Sequence, residues 1–94
     1  MLEKIEIIFR NLINNSRGKK ISIKIKTLVK YAYFSIIKKT TQISYLKNAI
    51  KEVRVPSKFA NQYFYTDVFY YLRQKYNIKI DRRKRNLRYI ILEK

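Results

Sequence analysis

Cysteine and histidine are both absent from the chain, glycine and proline occur once each, and acids number only 6. Without cysteine no disulfide forms, and without cysteine and histidine the usual zinc sites lack their ligands. Acid–base catalysis by histidine is excluded on the same ground. A single Gly18 and a single Pro56 leave little material for long loops, so short, well-defined elements are expected. No stretch approaches the roughly 20 apolar residues that a membrane-spanning helix needs. Met1 to Ile13 alternates charged and apolar side chains and does not read as a secretory signal, so the chain is expected inside the cell.

What the chain has in excess is positive charge. Its 94 residues carry 23 lysines and arginines against 6 acids, a net charge of +17. Hydrophobic residues make up 47% of the chain, enough for the core of one domain. Self-repulsion on this scale opposes compaction, and a polyanion relieves it. Nucleic acid is the commonest polyanion partner, an anionic membrane surface is the rival, and a merely solubilising surface is the bland alternative. The charge is uneven. Residues 1–15 are neutral, with Lys4 and Arg10 against Glu3 and Glu6. Residues 16–51 carry ten cations and no acid, and residues 52–94 carry eleven cations and four acids. The first segment therefore reads as packing or self-association, and the rest as contact surface.

The periodicity predicts a helix over 2–15, from Leu2, Ile5, Phe9, Leu12 and Ile13 at helical spacing, with Asn14, Asn15 and Gly18 as stop signals. Ile21, Ile23 and Ile25 alternate with polar residues, which predicts a strand over 19–26. Ile21, Ile25, Leu28, Ala32 and Ile36 also form a helical stripe, so a helix there is the competing reading. A helix is expected over 27–39, with Leu28, Val29, Ala32, Tyr33, Ile36 and Ile37 on its apolar face. Thr40 and Thr41 then precede a helix over 42–53 that buries Leu46, Ala49, Ile50 and Val53. Pro56 ends it. Ser57 is a good N-cap for a segment over 58–76, either one helix or two with a break near Tyr65–Thr66, where Thr66 followed by Asp67 offers a second cap. Val68, Tyr71, Leu72 and Tyr76 share one face of the last helix, and Thr66, Tyr70, Arg73 and Gln74 the opposite one. The tail predicts a hairpin: strands 78–82 and 87–92 around a tip at Arg83, Lys84, Arg85 and Asn86.

The run from Thr66 through Tyr70, Arg73 and Gln74 to Ile78, Arg82, Arg83, Lys84, Arg85, Arg88 and Leu92 resembles the end of a winged helix-turn-helix domain. The resemblance covers about residues 57–92, and residues 19–26 fit that family's short first strand. It implies a mostly α fold with a small antiparallel β-sheet, a winged helix-turn-helix with an extra N-terminal helix, spanning residues 1–94 as one domain. In such domains the last strand commonly lies between the other two, and the nearly continuous apolar run Leu87–Leu92 suits a central strand. The resemblance also implies roles. A recognition helix over 66–76 would present Thr66, Tyr70, Arg73 and Gln74 to base edges in the major groove. A basic wing, Arg82, Arg83, Lys84, Arg85 and Arg88, would hold phosphates or enter the minor groove. Lys58, Asn61 and Gln62 would position the backbone.

The aromatic cluster Phe59, Tyr63, Phe64, Tyr65, Phe69, Tyr70, Tyr71 and Tyr76 is mostly core material, yet too dense for one helix face to bury. Some rings are therefore expected against a partner subunit or stacked on bases. The carboxylates Glu3, Glu6, Glu52, Asp67, Asp81 and Glu93 are few and scattered, and no phosphate loop or nucleophile elbow is present. No catalytic set, metal site or cofactor is expected. The leading expectation is a protein that binds double-stranded DNA, a small transcriptional regulator or nucleoid-type binder in the cytoplasm, dimeric through the neutral helix. An RNA-binding, ribosome-associated module shares the charge and would use the rings for stacking. A small basic ribonuclease of the toxin type and a membrane-surface binder are the remaining readings.

Overall fold

The computed structural model describes residues 1–49, 54–84 and 87–93. Among them are four helices and three strands in the order α1 (Leu2–Asn15), β1 (Lys20–Lys24), α2 (Ile25–Lys38), α3 (Ile43–Ala49), α4 (Gln62–Arg73), β2 (Ile78–Lys84) and β3 (Leu87–Glu93). The fold is mostly α with one small antiparallel sheet, as expected.

The helix α1 has the predicted bounds, and its apolar stripe faces inward. Ile5, Ile8 and Phe9 are wholly buried, with Leu2, Leu12 and Ile13 packed beside them. The helix stops at Ser16, whose extended backbone turns the chain away while its N–H donates to the Ile13 carbonyl at 3.3 Å. Gly18 does not supply a left-handed cap, because its φ is not positive.

The two readings of residues 21–36 prove to be halves of the truth. Ile21 and Ile23 lie in β1, and the chain turns at Lys24 directly into α2, so the helix begins at Ile25 rather than Thr27. Helix α2 packs against α1, α3, α4, β1 and β3. Its middle is consequently buried on several sides: Leu28, Val29, Tyr31, Ala32, Phe34 and Ser35 are all inside. Tyr33 is half-buried, while Ile36 and Ile37, expected on the apolar face, are 49% and 45% exposed. Both fall in the last turn, where the neighbouring elements no longer cover the helix. Lys39 then ends α2 in the left-handed region (φ 53°, ψ 40°), and its N–H and that of Thr40 donate to the Ser35 carbonyl.

Ser35 is buried and its hydroxyl has no hydrogen-bond partner among the described residues. An unpaired buried hydroxyl loses its hydration with no return, so Ser35→Ala is expected to raise stability by about 1 kcal/mol. Urea unfolding measures this, and a loss of that size would show that the hydroxyl is bonded in solution.

Helix α3 begins at Ile43 rather than Gln42, and the Thr40 hydroxyl accepts the Gln42 N–H at 3.2 Å, closing a turn ahead of the helix instead of capping its first-turn N–H groups. Leu46 is fully buried, whereas Ile50, Glu52 and Val53, placed on the same helix by the sequence, lie outside the described residues. The segment after Pro56 departs from expectation. Ser57 caps no helix: residues 57–60 form a turn in which Phe59 and Ala60 N–H groups donate to the Pro56 and Ser57 carbonyls. Asn61 is the N-cap. Its Oδ1 accepts the Phe64 N–H at 2.9 Å, while its Nδ2 donates to the Ser57 and Lys58 carbonyls at 2.8 and 3.1 Å. Helix α4 then runs unbroken to Arg73. Thr66 is not a second cap but sits within the helix, its hydroxyl donating to the Gln62 carbonyl at 2.9 Å.

The sheet has the order β1-β3-β2, with β3 in the centre and antiparallel to both neighbours. In register, Ile21 and Ile78 flank Leu92, and Ile23 and Ile80 flank Ile90. These two rows form the inner face of the sheet, and Ile90 is wholly buried. Strand β2 runs on to Lys84 through a register irregularity between Arg82 and Lys84, so Arg83 and Lys84, expected in the hairpin tip, belong to the strand. The other two tip residues, Arg85 and Asn86, lie outside the described residues.

Candidate nucleic-acid interface

With 3.6 residues per turn, α4 has two distinct sides. Val68 and Leu72 are wholly buried against the core. On the other side Tyr63, Tyr70 and Arg73 face solvent; Tyr63 is 87% and Tyr70 55% exposed. Of the residues assigned to this face from sequence, Tyr70 and Arg73 occupy it. Gln74 is exposed but lies one position past the helix end, as its C-cap, so the helix is 62–73 and not 66–76. Tyr63 was missed. The signal was available: it sits two turns before Tyr70 on the same helical face, visible once the helix is started at Gln62 and not at Thr66. Asp67 is the acid on this exposed part of α4.

Thr66 is half-buried because it meets the hairpin. Arg88 Nη1 donates to the Thr66 hydroxyl oxygen at 2.9 Å. The cause is the strand's period of two: Arg88 lies on the same face of β3 as Ile90 and Leu92, toward the helices. Two residues assigned separately to helix and wing thus form one joint between them. Arg82, Arg83 and Lys84 lie on β2 beside this joint, with Arg82 opposite Arg88 in the register.

The three residues expected to position the backbone divide. Lys58 is exposed, its ammonium 5.0 Å from the centre of the Phe59 ring. Gln62 is exposed at the start of α4. Asn61 spends both ends of its amide within the protein, on the cap and the preceding turn. The aromatic cluster separates as its density required. Phe59, Phe64, Tyr65, Phe69, Tyr71 and Tyr76 pack against the core, with Phe59 5.2 Å from Phe64 and 6.2 Å from Tyr33, while Tyr63 and Tyr70 stay outside.

Internal acids cannot neutralise this surface; pairing all 6 would still leave 17 cations. Glu6 is engaged by Arg10, one turn along α1, at 2.7 Å, and accepts a hydrogen bond from Tyr76 at 3.3 Å. Burial pushes its carboxyl upward, but the hydrogen bond and charge of Arg10, the Tyr76 hydroxyl and the charge of Lys75 outweigh that and leave it below the ordinary carboxylate value. A carboxyl lowered in the folded state contributes stability above its unfolded value of about 4.3, and that contribution is lost as pH falls through the folded value. The melting temperature is therefore expected to drop on acidification below about pH 4, and Glu6→Gln to flatten that part of the curve. An unchanged acid limb in the variant would show that Glu6 does not tie α1 to the Tyr76 segment.

Among the described residues no helix is long and apolar enough to cross a membrane. Comparison of the chain with protein-family models, with curated proteins and with solved structures finds no match.

Proposed function

We propose that this chain binds double-stranded DNA as a winged-helix-type protein, with α4 as the recognition helix and the β2–β3 hairpin as the wing. The observation that carries the reading is the joint between Arg88 and Thr66. It fixes a basic hairpin against a helix whose far side presents Tyr63, Tyr70 and Arg73 to solvent. The sheet order, with the last strand central, is compatible with the same architecture. Arg73 is suited to a purine edge in the major groove, and the tyrosine rings to thymine methyls or the sugar-phosphate edge. The hairpin cations, together with Lys58, would hold phosphates. A small transcriptional regulator or a nucleoid-type binder in the cytoplasm fits this division of labour.

The exposed rings of Tyr63 and Tyr70 favour one second reading, a structured RNA stacked on them. A competition assay between random duplex DNA and structured RNA separates the two. Under the DNA reading the duplex wins, and Arg73→Ala and Tyr70→Ala each weaken discrimination between sites by about 1–3 kcal/mol. Preference for RNA, or site preference intact in both variants, would remove α4 from its role.

A further inference from the structure

A cleft of about 670 Å³ opens between the C-terminal end of α4 and the start of β2, next to the exposed face just described. Arg73, Lys75 and Lys79 stand around it, the Lys75 ammonium also 5.3 Å from the centre of the Tyr71 ring, Gln74 and Asn77 add side-chain amides, and no carboxylate is among the described residues that line it. Phe69 and Tyr76 supply rings to its wall. Tyr76 is held in place from behind: its ring meets Phe9 edge-on at 5.1 Å, and its hydroxyl donates to Glu6. The Phe69 ring lies 5.7 Å from that of Tyr70, so aromatic surface runs from the outer side of α4 into the cleft.

This mixture selects an occupant. A purely apolar ligand would give Arg73 and Lys79 no counter-charge. A bare inorganic anion would leave the rings and amides unused. A nucleotide uses all three: its phosphate meets the cations, its base face meets the rings, and its base edge meets the amides. The volume falls within the roughly 300–1,000 Å³ of small-molecule sites.

We infer that this cleft holds one unstacked nucleotide of a bound DNA strand, and that the protein favours duplex carrying an unpaired nucleotide over fully paired duplex. The inference rests on the DNA-binding reading above.

The test uses the full chain, with a blunt duplex, the same duplex bearing a short single-stranded overhang, and two small probes, deoxyadenosine monophosphate and inorganic phosphate. The overhang substrate is expected to bind about fivefold or more tightly than the blunt one, the least that one stacked base contributes. Asn77 and Lys79 are both exposed, so Asn77→Ala combined with Lys79→Ala leaves the fold intact. The double variant should erase the preference while costing blunt duplex no more than Arg17→Ala does. In amide NMR spectra the mononucleotide should shift Asn77 and Lys79 further than phosphate does. Equal affinity for the two duplexes overturns the inference, as does an overhang preference that survives the double variant. Equal shifts from phosphate and mononucleotide overturn the role of the rings. Mononucleotide shifts without an overhang preference would place a free nucleotide in the cleft and overturn its role in strand binding. If blunt duplex still binds with steep salt dependence in any of these cases, the DNA-binding reading stands; if neither duplex binds, both fall.

Discussion

Binding to duplex DNA should weaken about a thousandfold when salt rises from about 50 to about 200 mM. Each neutralised phosphate releases condensed counterions, and the affinity falls with a slope of about −0.9 per contact on a double logarithmic plot. The proposed surface offers Lys58, Arg82, Arg83, Lys84 and Arg85 as phosphate ligands, and the Arg73 guanidinium, at a base edge in the groove, displaces counterions as a sixth cation. Roughly six contacts give a slope of about −5, and a fourfold change in salt then yields the stated loss. Arg88 is left out of this set because one of its donors already serves Thr66. Replacing Arg82, Arg83, Lys84 and Arg85 together by glutamine should bring the slope to about −2. Fluorescence anisotropy across a salt series measures both values. A slope near zero in the native chain would mean that its excess cations do not meet phosphates. An unchanged slope in the variant would move the contact surface away from the hairpin.

The sequence spoke clearly where one physical signal stood alone. Apolar residues at helical spacing set the bounds of α1, and the apolar run of Leu87–Leu92, interrupted by Arg88 alone, told of a strand with neighbours on both sides. It was ambiguous where several residues qualified for one role. Ser57, Asn61 and Thr66 are all capping types, and local propensity does not choose among them. Asn61 is selected by reach: its amide closes the turn back to the Ser57 and Lys58 carbonyls while capping Phe64. On α2, periodicity located an apolar side but not how far the neighbouring elements extend. Phe34 and Ser35 are therefore inside while Ile36 and Ile37 are not. Arg88 was hidden by company. Seen as part of a basic run from Arg82 it looks like wing surface; seen with Ile90 and Leu92 at the strand period it belongs to the helix-facing side, where it is found.

Leu72→Ala should cost about 3–5 kcal/mol, the largest stability effect expected of any change on α4. The helix is held to the core from below by two wholly buried side chains, Val68 and Leu72, as it packs against α1, α2 and β2. Truncating the larger one removes its burial and leaves a cavity that the close-packed core around it fills only in part. For a domain whose total stability is of order 5–15 kcal/mol, this is a substantial fraction. Urea unfolding should show a lower midpoint at unchanged m, since the surface exposed on unfolding barely alters. Tyr70→Ala, on the opposite and exposed side of the same helix, should change stability by no more than about 0.5 kcal/mol. The pair separates the two duties of α4. At low temperature, where Leu72→Ala remains folded, its salt slope should equal that of the native chain because no phosphate ligand has been removed. Tyr70→Ala should instead alter which sequences are preferred. A Leu72→Ala cost below about 1 kcal/mol would mean that this side chain does not anchor the helix, and the orientation of its exposed face would then need another support.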